Sequence, residues 1–202
     1  MDLRTLARAY DRSAAGYDER FRALQRPKYE AAARLLGGLP AGLCLDAGGG
    51  TGLFAEFAAS ATPRATATAT PSPAASAPPS PTPAATATPA ATRVIVLDVS
   101  LAMLRVARAR GVACVLGDLA APPFAPGSFP LVVSFTAVLA DVPRALRALR
   151  ALGDLVAPGG HLLVSFLAGE SPAPDAVARH TGLALRKGPV AAGQDQLFHA
   201  TR

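Results

Sequence analysis

Leu43-Cys44-Leu45-Asp46-Ala47-Gly48-Gly49-Gly50-Thr51-Gly52 decides how the rest of this 202-residue chain is read. A short apolar run ends in an acid, three glycines follow, and Thr51-Gly52 leads into a helical pattern. That is the succession of a buried strand, a tight turn and a helix N-terminus. Glycine suits such a turn because it tolerates φ > 0 and lets a ligand lie against bare backbone. The free amides that open the next helix favour a carboxylate or a phosphate. Spacing narrows the choice. A dinucleotide-binding G-x-G-x-x-G would put its third glycine at position 53, where the chain has Leu53. The pattern is Asp46-x-Gly48-x-Gly50-x-Gly52 instead, which speaks against a nicotinamide- or nucleotide-sugar-binding domain.

Upstream of this stretch the pattern is helical. Leu3, Leu6, Ala7 and Tyr10 share one face, and Arg4, Arg8 and Arg12 follow at steps of four on another. Gly16 breaks the pattern. Tyr17 to Arg26 reads as a second helical segment with Phe21 and Leu24 inward. Pro27 is expected to open a third, Lys28 to Leu36, closed by Gly37-Gly38. Residues 1–42 therefore read as a helical cap ahead of a ligand-binding domain at 43–202.

Residues 62–92 are a different material, with eleven Ala, eight Pro, eight Thr, three Ser and a single Arg64. Lacking large apolar groups, this tract cannot offset its ordering entropy and is expected to be a disordered, polyproline-like insertion. It also accounts for an odd spacing. A ribose-binding acid is expected about 20 residues after a glycine turn of this kind. Asp98 lies 50 residues after Gly48, and 19 once the 31-residue tract is set aside. Arg93 to Asp98 then becomes the second strand of the same βαβ unit.

Ser100 caps a helix carrying Leu101, Met103, Leu104 and Ala107. Val112 to Gly117, Leu131 to Phe135 and His161 to Phe166 read as further strands, the middle one fully apolar as in a parallel sheet. Between the last two, Pro143 starts a helix with Leu146, Leu149 and Leu152 inward and Arg144, Arg147 and Arg150 outward, and Pro158-Gly159-Gly160 is expected to stop it. Ser171-Pro172 opens a short helix running to His180, and Leu183 to Lys187 with Gln194 to Thr201 reads as an antiparallel hairpin. The fold class is α/β: a Rossmann-like, doubly wound, seven-stranded sheet, mostly parallel with a C-terminal antiparallel hairpin.

The net charge of +6 rests on eighteen Arg against two Lys. Such an excess suits an RNA partner. Alanine is equally over-used, however, which makes compositional bias the simpler source. Cys44 and Cys114 lack metal or redox spacing and read as buried thiols of a reducing, cytoplasmic setting. No apolar run approaches the roughly 18 residues of a membrane span.

Four blocks resemble the class I S-adenosylmethionine-dependent methyltransferases. They are Leu45 to Gly52, Asp98-Val99-Ser100 with Met103-Leu104, Gly117-Asp118-Leu119 with Pro123-Phe124 and Gly127-Ser128-Phe129, and Leu155 to Gly160. The lead-in Tyr10-Asp11…Tyr17-Asp18…Phe21 is similar to that of the quinone-type (type 11) members, whose N-terminal helices close over the cofactor. The resemblance implies S-adenosyl-L-methionine as cofactor. Gly48, Gly50 and Gly52 would let the backbone approach its methionine part and ribose. Asp98, with Val99 beside it, would accept both ribose hydroxyls, and Asp118 with the Leu119 amide would take the adenine. Asp46 would steady the turn or reach the methionine ammonium through water, Ser134 would offer its carbonyl to that ammonium, and Tyr17 on the cap would stand near the methyl group. Two departures stand out. Pro130 replaces the usual acid after Phe129, and the segment 136–140 lacks the histidine many relatives carry. The histidines that are present, His161, His180 and His199, read as structural, so no residue is assigned a catalytic role. The implied activity is methyl transfer to a small-molecule or RNA acceptor, with a non-catalytic cofactor-binding scaffold as the rival reading.

Overall fold

The computed structural model describes residues 2–61, 91–138 and 142–202, so the disorder expected of the 62–92 tract falls almost wholly outside the described residues. Two helices come first, α1 (Leu3–Ser13) and α2 (Tyr17–Leu36), joined by one 3-10 turn. The sheet is built from β1 (Gly42–Ala47), β2 (Thr92–Asp98), β3 (Ala113–Leu116), β4 (Phe129–Phe135), β5 (Val156–Leu167), β6 (Ala184–Ala192) and β7 (Asp195–Thr201). Helices α3 (Leu53–Ala61), α4 (Leu101–Ala109), α5 (Val142–Leu155) and α6 (Pro174–Thr181) pack around it. The strand order is β3-β2-β1-β4-β5-β7-β6, parallel except where β7 runs against both β5 and β6. The order reverses between β1 and β4, which leaves a crevice beyond their carboxyl ends. Seven strands, the parallel core and the terminal hairpin all match the expectation.

The pleat sends alternate residues to two cores. On β4, Leu131, Val133 and Phe135 join Tyr29, Phe54 and Leu163 on one face, whereas Val132 joins Leu45, Leu152 and Val164 on the other.

Several boundaries differ from the sequence reading. Pro27 does not open a new helix but lies inside α2. A proline within a helix costs about 3 kcal/mol through the lost bond and ring clash. Burial outweighs that cost, because Lys28, Tyr29, Ala31 and Ala32 follow at once and are all buried, with the Tyr29 ring against Phe54, Phe57 and Phe135. Leu24 is not inward in the core sense, since it is 40% exposed and lines the cavity described below. Pro158-Gly159-Gly160 does not stop α5, which ends at Leu155; those residues belong to the irregular start of β5, beside the register shift at Pro130 on β4. The last helix begins at Pro174 rather than Ser171. Arg144 does not face outward: it bonds to Asp118 and lines the cavity.

Candidate functional site

The crevice at the sheet's carboxyl edge opens into a cavity of about 1040 Å³ beneath α1 and α2. Leu6, Ala9 and Tyr10 of α1 and Tyr17, Phe21, Leu24, Gln25 and Lys28 of α2 face it from above. Gly48, Gly50, Asp98, Val99 and Leu119 line the side formed by the sheet's strand ends, so the sequence motifs do converge on one space.

The glycine turn has the geometry its residues suggest. Gly48 has φ +77° and packs so tightly on Ala137 that a Cβ would overlap that residue. Gly50 (φ +54°) donates its N–H to Asp98 Oδ2 at 2.9 Å, while Ser100 N–H donates to Asp98 Oδ1 at 2.8 Å. Each carboxylate oxygen therefore keeps acceptor capacity for a ligand hydroxyl. Burial raises the Asp98 carboxyl above its ordinary range, opposed by those backbone N–H donors.

Asp46 is fully buried at the end of β1, and its Oδ2 has no hydrogen-bond partner among the described residues. Burial, reinforced by the charge of Asp98, pushes its carboxyl up to about 8. A small polar recess brings Asp46 together with Tyr17, Gln25, Tyr29, Gly48 and Gly49. Gln25 Oε1 is likewise buried and unpartnered among the described residues. Two orphaned acceptors at one recess are the complement of an ammonium group, which offers only donors. Tyr17 beside them stays protonated, its hydroxyl raised to about 12 by burial.

Other sequence-proposed residues are placed differently. Gly52 lies off the cavity against Ala107 of α4, where its missing Cβ permits close helix packing. Asp118 is taken up by Arg144 (2.5 Å) and the Ala120 N–H (2.8 Å), and Leu119 and Arg144 are what the cavity meets there. Ser134 is fully buried on β4 and does not line the cavity.

Residues that no local motif announced complete the site. Lys28 Nζ donates to Thr136 Oγ1 at 2.5 Å and stands 3.1 Å from Asp195 Oδ2. Thr136 Oγ1 and Ser165 Oγ each donate to Asp195 Oδ2 at 2.6 Å. The cap is also latched to the domain by acids. Asp11 accepts from Ser100 Oγ (2.6 Å) and Ala102 N–H (3.0 Å) at the start of α4, and Thr51 Oγ1 donates to Asp18 (2.5 Å) in the glycine turn. Arg110 ties Asp18 to the Thr51 carbonyl.

Comparison with known proteins agrees with this architecture. A family model described as a methyltransferase domain matches residues 82–160, a span that contains Asp98, Asp118 and Ser134. No curated protein sequence matches the chain. Among solved structures, magnesium protoporphyrin IX methyltransferase from Synechocystis PCC 6803, solved with bound S-adenosylmethionine, superposes with a TM-score of 0.67 at 16% identity over 100% of this chain and 98% of that one. A possible histamine N-methyltransferase from Thermotoga maritima gives 0.65 at 17% identity over 96% and 98%. A TehB-like methyltransferase from Corynebacterium glutamicum gives 0.63 at 17% over 94% and 97%. At such identities the likeness is one of fold.

Proposed function

We propose that this chain is a class I S-adenosylmethionine-dependent methyltransferase that methylates a small, largely apolar molecule held under α1 and α2. The observation that carries this is the cavity itself, polar at the Asp46–Gln25 recess and walled on the cap side by Leu6, Ala9, Phe21 and Leu24. S-adenosylmethionine supplies an activated methyl group on sulfur. The protein's part is to hold donor and acceptor in line at about 3–3.5 Å and to exclude water. Asp98 would bind the ribose, Leu119 and the Asp118–Arg144 pair would border the adenine, and Asp46 with Gln25 would receive the ammonium. Arg4, Arg8 and Arg12 are exposed and none of them lines the cavity, so a small acceptor held there would not depend on them. A cytoplasmic, reducing setting belongs to the same reading, since both cysteines are free thiols.

Calorimetry with S-adenosylhomocysteine tests the cofactor assignment. Asp98→Ala should weaken binding by roughly 1.5–3 kcal/mol, the worth of a charge-assisted contact. Unchanged affinity would remove the basis of the assignment. Tight binding with no methyl transfer to any fraction of a cell extract would support the scaffold reading instead.

A further inference from the structure

Resting on the methyltransferase reading above, we propose that the buried Lys28–Thr136–Asp195 cluster is the acceptor pole of the cavity, and that the atom methylated there is a hydroxyl oxygen.

All three residues line the cavity, although Lys28 is only 4% exposed and Asp195 only 2%. A buried ion pair seldom adds stability over an apolar pair, so its presence on a cavity wall asks for another reason. Thr136 adds a second sign. Its φ is +54°, a conformation costly for a β-branched side chain and characteristic of functional positions. It directly follows β4, and its neighbour Ala137 packs on Gly48 of the cofactor turn. The strained residue is thus joined directly to the one that packs on the glycine turn, and its hydroxyl meets Lys28 and Asp195.

The hydrogen-bond inventory selects the ligand. Thr136 Oγ1 donates to Asp195 Oδ2 and accepts from Lys28, which leaves one lone pair. Lys28 directs donors at Thr136 and Asp195, and its third N–H has no partner among the described residues. The complementary group donates one hydrogen bond to Thr136 and accepts one from Lys28. A hydroxyl does both and still keeps a lone pair for the methyl group. A neutral amine has a single lone pair, which Lys28 would tie up. In the reaction the O–CH₃ bond forms as the C–S bond breaks with its electron pair going to sulfur. The hydroxyl proton passes to Thr136 Oγ1 while the proton already on that oxygen moves to Asp195 Oδ2. The sulfonium charge is lost as the carboxylate is neutralised, and the proton leaves to solvent with the product.

The test has a binding arm and a transfer arm. With S-adenosylhomocysteine bound, the wild type should bind 2-naphthol at least tenfold more tightly than 2-methylnaphthalene. That preference should vanish in Lys28→Met and Thr136→Ala and survive in Lys28→Arg. S-adenosylhomocysteine affinity should stay within about twofold in all three, which reports that they fold. Carbon-13-methyl S-adenosylmethionine is then supplied with an apolar extract of cells, and the methyl chemical shift identifies the acceptor atom. Label on oxygen, with a loss of roughly 100-fold in kcat/KM for Asp195→Asn that is partly recovered at high pH, supports the proposal. Label on nitrogen, carbon, sulfur or RNA, or no naphthol preference in the wild type, overturns it and leaves the methyltransferase reading standing. No transfer at all despite cofactor binding overturns both.

Discussion

Asp46 is ionised in an unfolded chain above about pH 4, whereas burial and Asp98 hold its carboxyl up to about 8 in the folded protein. Between those values the native state binds more protons than the unfolded one, so stability falls as pH rises. Asp46→Asn removes that slope. Thermal melts of variant and wild type should nearly coincide at pH 4 and diverge toward pH 8, with the variant melting higher. The same change should weaken S-adenosylhomocysteine binding at least tenfold, because the ligand's ammonium loses its charged partner. Wild-type binding near pH 7 should also release a proton, visible as a buffer-dependent heat; a heat independent of buffer would contradict the raised carboxyl. Asp46, Gly48, Gly50 and Asp98 were legible in the sequence because the motifs that hold them are local. Gln25, Lys28 and Asp195 were not, because tertiary packing alone joins them: Lys28 and Thr136 meet across 108 residues. The pattern of α5 puts Arg144 on its solvent-facing side, and only the fold shows Asp118 within its reach.

Elements show the same division between local and distant causes. Strand existence and sheet type followed from apolar runs, whereas Pro27 and Pro158-Gly159-Gly160 misled because burial and strand pairing outweigh local breaking signals. Gly153 carried no signal at all. A helical glycine normally gains about 1 kcal/mol on replacement by alanine. Here a Cβ would overlap the Thr181 carbonyl at the end of α6, so Gly153→Ala should instead destabilise, by about 1–3 kcal/mol in urea unfolding. His199 on β7 stands 3.0 Å from His161 on β5, and burial with neighbouring positive charge lowers its tendency to protonate. The unfolded chain therefore takes up a proton first as pH falls through about 6.5, and stability is lost over that range. His199→Gln should flatten this acid limb of the melting profile, while a limb of unchanged steepness would locate its origin elsewhere.

Across the whole molecule, the sheet supplies a floor and the two N-terminal helices supply a roof over the cavity. Asp11 and Asp18 fasten that roof to the starts of α4 and α3, the same elements that carry Ser100 and Thr51. Asp11→Ala with Asp18→Ala should speed release of S-adenosylhomocysteine by roughly tenfold in stopped-flow displacement, with the melting temperature lowered only slightly. An unchanged release rate would mean that the ligand leaves without disturbing the cap. Because Asp18 holds Thr51 of the glycine turn, any ligand exchange that moves the roof would have to unclasp and reclasp these contacts. Traffic through the enzyme would then be metered by two aspartates that do not line the cavity, with turnover slowing when a substitution tightens the clasp and added salt, by screening Asp18 from Arg110, loosening it.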